Sequence, residues 1–507
     1  MDGFKNCIFV KRVIFLLGFW RSHVDYQQQV ATELSLIARF NPYALLEYEH
    51  SISKLYILDL DPMKPILAPL YSNTGRPSIN QPEIFRSLLL MNDLGFSLDQ
   101  WAVKLSNNRV LQIACGFFDE LPSIASYYDF MSRIVKIDER PRVKPKKRKP
   151  KKKYGKNKMP HKRKGTVQLL VDRILQGRRF NRRPERLLQE IFAKVCVQPS
   201  IDLGLVPKSV SISGDGTCIK TGASPFGRKT CNCTDFNCDC PRRFSDPNAT
   251  CGWDSHNERY FYGYTGYFIS TYNRTEKLDL PLYLRIVDAT RHDSISAVVA
   301  LAEFRDIYPD LTVDTFISDS ASDNYATYQL LDKWGINAVI ALNKTNDGNR
   351  VFPQCVVNNN GVPVCPGGHE MVRAGFCGSD RCRIKWRCPF VLGKCDISKA
   401  CLDCSDSAYG RVVYTKPEWD LRLFSRIPRG SALWKSKMKE RTAAERVNNR
   451  ILHHYGLENS KTRGKKRISF FATLAAFNVH LDAQLTKLKS VGSFDFSRIF
   501  GLAAAVA

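Results

Sequence analysis

The sequence predicts a mixed α/β protein in which an all-α block precedes a strand-rich core. Three observations carry this. Apolar residues from Leu88 through Leu94, Leu98, Trp101, Leu105, Leu111 and Phe117 recur at helix-like intervals. From Val210 onward, short strand-like runs alternate with turns and helices. Between the two lies 142–164, with fourteen lysines or arginines, no acid, and Pro145, Pro150, Gly155 and Pro160. Such a run cannot bury a core and reads as an extended linker.

In chain order, 1–75 is a helical extension with a helix expected over 26–46, and a turn at 73–77 opens a helical DNA-binding domain over 76–140. Asn80 and Ser97 stand where helix N-caps belong. The basic linker spans 141–166, and a connecting helical segment, 167–205, carries one helix over 169–193. The core, 206–490, reads as strands over 210–219, 260–271 and 280–288, then helix 294–305 and strand 312–319. Helix 325–334 and strand 338–343 follow, and a helix between two strands implies parallel pairing by crossover. This is the element order of an RNase H-like core. Cysteine-rich insertions interrupt it at about 228–256 and 355–410, two amphipathic helices follow over 436–454 and 470–488, and 491–507 is a C-terminal tail.

Charge narrows the function. The chain has 507 residues with 76 Lys+Arg against 49 Asp+Glu, a formal net charge of +27. A positive field of that size draws polyanions. Membrane is the competing partner, but the best apolar stretch, 7–20, is short and broken by Lys11 and Arg12, far from the ~20 apolar residues a crossing needs. It also lacks a small-residue cleavage site, so the expectation is a cytoplasmic, nucleoid-associated protein without a membrane partner. In the linker, Lys146, Lys147, Arg148, Lys149, Lys151, Lys152 and Lys153 are the expected phosphate contacts.

The element order also indicates where acids would converge. Asp215 lies within the first strand run, in Ser213-Gly214-Asp215-Gly216-Thr217, and Asp319 ends the fourth. Glu445 sits on the late helix, four residues after Arg441. The first and fourth strands are neighbours in this fold, so a helical acid would close a three-carboxylate site. Hard Mg²⁺ (or Mn²⁺) takes oxygen ligands, and two such ions can clamp both oxygens of an in-line phosphodiester displacement. Each acid has an ordinary alternative: a strand-end aspartate is often a turn former, and Glu445 suits a surface pair with Arg441. Asp323 reads as the cap of the next helix and Asp293 as a loop cap.

These residues resemble those of bacterial insertion-sequence DDE transposases. Asp215-Gly216-Thr217 is similar to the family's first motif, and Gly263-Tyr264 or Gly266-Tyr267 to a Gly-Tyr pair on its next strand. His292-Asp293-Ser294 resembles the motif before the crossover helix, and Asp319 through Asn343 resembles the second-aspartate block. Arg441, Glu445, Arg446 and Asn448 match the third motif, and 76–135 resembles the helical domain that precedes many of these cores. The resemblance implies Asp215, Asp319 and Glu445 as catalytic metal ligands for two Mg²⁺ ions, with Arg441 and Arg446 on DNA. It further implies cleavage at the element's ends, attack of the freed 3′-hydroxyl on target DNA, and a homodimer pairing two terminal inverted repeats. Met438 and Leu452 stand where relatives often carry Tyr and Lys; Arg463, Lys465, Lys466 and Arg467, with Lys461, are candidates to replace that grip. A nuclease that does not join strands, and an inactive transposase-derived DNA-binding protein, are the competing functions.

Seventeen cysteines, an odd number, gather mainly in two clusters, which favours metal or reduced thiols over a disulfide framework. The first is Cys231-x-Cys233-x4-Cys238-x-Cys240, with Cys251 beyond it. The second holds Cys365, Cys377, Cys382, Cys388, Cys395, Cys401 and Cys404. Cys401-x2-Cys404 has the more zinc-like spacing, with Cys388 and Cys395 as partners, so structural Zn²⁺ is expected there before the first cluster.

Overall fold

The computed structural model describes residues 17–71, 78, 80–136, 143–144, 164–180, 183–235, 238–254, 257–343, 350–377, 381–396, 404–458 and 462–502. Lys146–Lys153 and Cys401, singled out above, lie outside the described residues.

The chain enters through helix α1 (His23–Phe40), which Ser22 caps by accepting from the Asp25 amide. Tyr26, Val30, Leu34 and Ala38 recur every four residues and form its buried stripe. The single helix expected over 26–46 is broken after Phe40. Asn41 instead caps a new short helix, Pro42–Leu46, because proline cannot continue the hydrogen-bond ladder but suits a first turn. Helix α2 (Gln81–Asp93) is buried almost all round. Asn80 precedes it in the left-handed region without a side-chain cap bond, unlike its expected role, whereas Ser97 makes a full capping box with Gln100. The helix expected over 169–193 is two: Thr166–Leu175 closes at Gly177 (φ +75), and Glu185–Phe192 restarts after Pro184.

Six strands build the central sheet: β1 (Ser209–Lys220), β2 (Thr250–Asp254), β3 (Arg259–Asn273), β4 (Leu278–Asp288), β5 (Thr312–Ser318) and β6 (Asn337–Ile340). β1 is central. It pairs antiparallel with β3, from Ile212↔Thr271 to Lys220↔Gly263, and parallel with β5, which is parallel to β6. The far edge of β3 carries β2 and β4 end to end. The final strand is shorter than the 338–343 expected.

Helix α3 (Asp293–Ile307) joins β4 to β5, and α4 (Tyr325–Lys333) joins β5 to β6. Two later helices, α5 (Thr442–Asn449) and α6 (Lys465–Ser490), pack on the sheet. The one helix expected over 436–454 is instead Ala432–Lys439, a turn, α5, and a wide helical turn, Arg450–His454. The break falls at Glu440, whose buried carboxylate is held by Arg274 of the β3–β4 turn.

One apolar core runs from Tyr26 to Leu502 and takes in both the helical region and the sheet. α6 is the reason. It is buried from Ile468 to Leu485 and touches both α2 and β4. Its His480 bridges two further elements: Nε2–H donates to the Pro281 carbonyl and Nδ1 accepts from Ser200. Burial pushes that imidazole down to about 4, so it is a neutral core histidine. The helices from Gln81 to Val135 are therefore welded to the sheet. Among the described residues no helix is long and apolar enough to cross a membrane.

The second insertion departs from expectation. Expected only as a cysteine-rich interruption, it has a core of its own, in which Val357, Cys365, Met371, Ile384, Trp386, Val413, Leu423 and Phe424 pack under two three-stranded sheets. Cys365 is a packing residue there.

Candidate functional site

The parallel register brings the first two acids level. Ser213 lies opposite Ile317, so Asp215 and Asp319, each two residues further along, reach the same end of the sheet. Two glycines flank Asp215 because neighbours occupy the space of their side chains. A Cβ on Gly214 would lie 2.2 Å from the Tyr267 hydroxyl, and one on Gly216 would lie 2.4 Å from Asp293 Oδ1. Side chains alternate along a strand, so Asp215 faces the opposite side, toward α5. There Asn448 Nδ2 donates to Asp215 Oδ2 at 2.9 Å.

Small residues set that approach. Ala443, Ala444, Val447 and Asn448 are the buried face of α5, lying against β1, β3 and β4. Arg446 ties the helix down by donating to both oxygens of Asp279, at 2.5 and 2.8 Å. Its guanidinium, expected on DNA, is thus engaged within the chain. Glu445 is half-exposed on the same helix and accepts from Arg441 at 2.7 Å, the i,i+4 pair the sequence allowed.

A fourth carboxylate joins the group. Asp293 was read as a loop cap, but His292 caps α3, accepting from the Ser294 amide, while the Asp293 carboxylate lies against Gly216. Asp323 is likewise not the cap of α4; Asn324 is. Asp323 accepts from Arg422 Nε and Nη2 at 2.8 and 2.5 Å, which fastens the second insertion to the end of the sheet.

The electrostatics follow. Asp215 is pushed up to about 7, first by burial, then by the charges of Asp319 and Asp293, with Arg441 opposing. Asp293 is pushed up to about 6 by burial and by Asp319, with His292 opposing. Acids raised toward neutrality by burial and by neighbouring carboxylates are costly to ionise, and a divalent cation would offset that cost. Their oxygen donors suit Mg²⁺ in kind. Even so, no three of these acids bring ligand atoms within 4.8 Å of one another; among the described residues only Cys231, Cys233, Cys238 and Cys240 do so. Cys388, Cys395 and Cys404 form no such group. A cavity of about 360 Å³ lined by Arg178, Arg179, Arg186 and Arg305 lies elsewhere and includes none of the four acids.

Sequence reasoning missed the Asp293 placement and the Asn448 bond. Both residues stood inside motifs already singled out, but only the fold shows that Asn448 reaches Asp215 and that the Asp293 carboxylate lies against Gly216.

Residues 43–133 match a family model described as Transposase domain (DUF772). The match covers α2 and its neighbours and begins within the stretch read as an N-terminal extension. No curated protein matches the chain. The helical region is therefore similar to a transposase domain, which supports a transposase-like function with DNA as the partner.

Proposed function

We propose that the chain is a DDE-type DNA transposase that cleaves DNA at insertion-sequence ends and transfers the strand to target DNA. The observation that carries this is the level placement of Asp215 on β1 and Asp319 just past the end of the adjacent parallel β5, with α5 bringing Asn448 onto Asp215 and the charge of Glu445 within its reach. The strand order β4-β3-β1-β5-β6, with β3 antiparallel to the rest, supports an RNase H-like core.

Asp215, Asp319 and Glu445 would hold the metal. A divalent ion bound there supplies positive charge to the oxygens of the reacting phosphodiester. The chain's own residues set the rest. Asn448 stabilises the ionised form of Asp215, and Arg441 holds Glu445 until a cation competes for it. Arg441 beside Asp215 is also suited to a DNA phosphate. The linker lysines and arginines, Lys146–Lys149 and Lys151–Lys153, add sequence-independent attraction to the duplex.

A strand-transfer assay tests the proposal, using a pre-cleaved element end with a free 3′-hydroxyl, a target plasmid and Mg²⁺ or Mn²⁺. Joined product is expected. Cleavage without joining would make the chain a nuclease, and binding with neither would make it a DNA-binding derivative.

A further inference from the structure

The loop between β1 and β2 contains the tightest group of metal-competent atoms among the described residues. Cys231 and Cys233 stand on one arm, Cys238 and Cys240 on the other, and all four sulfurs lie within 4.8 Å of one another. They pair across the arms, with Cys231 Sγ 3.5 Å from Cys238 Sγ and Cys233 Sγ 3.5 Å from Cys240 Sγ. A disulfide would need ~2.05 Å. Four sulfurs around a tetrahedral Zn²⁺, each ~2.3 Å from the ion, stand about 3.8 Å apart. The spacing fits the second arrangement.

The surroundings point the same way. Among the described residues of 224–245, Cys238 alone is buried, so no apolar core holds this loop in shape. Yet it carries a defined three-stranded sheet, in which Arg242–Arg243 lies between Arg228–Lys229 and Val143–Lys144. The register sets Arg228 against Arg243 and Lys229 against Arg242. Like charges directly opposite destabilise a strand pair, so this sheet calls for an anion. Four thiolates around one Zn²⁺ carry a net charge of −2. The half-buried cations already face the cluster: Arg242 Nη2 is 3.7 Å from Cys238 Sγ, and Lys229 Nζ donates to the Asp235 and Cys233 carbonyls at 2.6 and 3.4 Å. Donors to a ligating sulfur and its loop are the outer shell that such sites use.

We propose that Cys231, Cys233, Cys238 and Cys240 bind one Zn²⁺ as a closed four-thiolate site, and that this ion holds together the basic sheet that includes Val143–Lys144 of the linker. With all four positions filled by protein, the ion is structural and takes no part in phosphodiester chemistry. The site stands independently of the transposase reading.

The test compares zinc content of the full chain, purified without added metal, with that of Cys231→Ser/Cys238→Ser. The double variant should lose one equivalent; any zinc bound by the second cluster cancels in the difference. Unchanged zinc overturns the proposal. Should the variant fail to fold, the wild-type chain decides by itself. Alkylation mapped by mass spectrometry should leave these four thiols protected until a chelator is added. Tryptic cleavage after Arg228, Arg242 and Arg243 should then accelerate by about tenfold, as loss of metal opens the loop. Immediate alkylation of all four, or their recovery as two disulfides, overturns the site.

Discussion

The acid group and the thiol group are held in opposite ways. Asp215, Asp319, Asp293 and Asn448 stand on strands and helices whose positions are fixed by one large core. Packing, not the ion, sets where they are, so they can be kept apart and partly protonated. The thiols sit in a loop with almost nothing buried and converge on one another. A rigid scaffold lets a site remain unfinished until substrate and metal arrive, whereas a loop without a core needs its ion in order to have a shape.

The largest expected effect separates the two groups outright. Asp215→Asn, Asp319→Asn or Glu445→Gln should lower cleavage by on the order of 10²–10³-fold or more, since each removes a proposed ligand of the cation that acts on the reacting phosphodiester. DNA binding and zinc content should be unchanged in all three. Near-wild-type cleavage in one variant removes that residue from the ligand set. Zinc loss in any of them breaks the comparison.

Next comes Gly216→Ala. Its Cβ would lie 2.4–2.7 Å from the three carboxylate atoms of Asp293, so either that side chain or the strand must move. Overpacking of this kind costs roughly 1–3 kcal/mol. Cleavage should fall with the thermal midpoint, and zinc should again be untouched. A variant as stable and active as wild type would show that Asp293 merely fills space.

Asn448→Ala and pH sharpen the acid side. Because Asp215 and Asp293 are raised to about 7 and about 6, the native chain binds more protons than the unfolded chain between the ordinary carboxylate range and pH 7. Without metal, stability should therefore fall as pH rises through that window and level off above it. Mg²⁺ should reverse the loss and release protons as it binds below pH 7, measurable by calorimetry in buffers of different ionisation enthalpy. Asn448→Ala removes a bond to the charged form, worth about 1 kcal/mol, so the metal-binding midpoint should move up by roughly half to one pH unit. A midpoint that stays put would make Asn448 a packing residue only.

The smallest effect belongs to the linker. Neutralising Lys146–Lys153 should weaken binding to all DNA sequences alike and flatten the dependence of log affinity on log salt. A slope equal to wild type would assign the run to solvent.

Periodicity and element order marked the other strands and helices of the central sheet from 210 to 340, and with them the level placement of Asp215 and Asp319, but not β2, which lay in a stretch read as an insertion. Those are properties of local pattern, because alternation and 3.6-residue spacing are written in neighbouring residues. Cap identity was less legible: His292 and Asn324 took roles expected of Asp293 and Asp323, since adjacent polar residues compete and the backbone exit angle chooses among them. What only the tertiary structure decided depends on contacts between distant positions. The fusion of helices 76–135 with the sheet rests on α6, which is buried nearly all round and so shows no stripe to announce its partners. The turn of Asp293 against Gly216 spans 77 residues of chain, and Arg422 reaches Asp323 across 99. Spacing favoured Cys388–Cys404, whose Cys401 lies outside the described residues, whereas the sulfurs that converge among the described residues are those of Cys231–Cys240. Convergence in a loop is set by the path of its two arms through space, which spacing along the chain does not record.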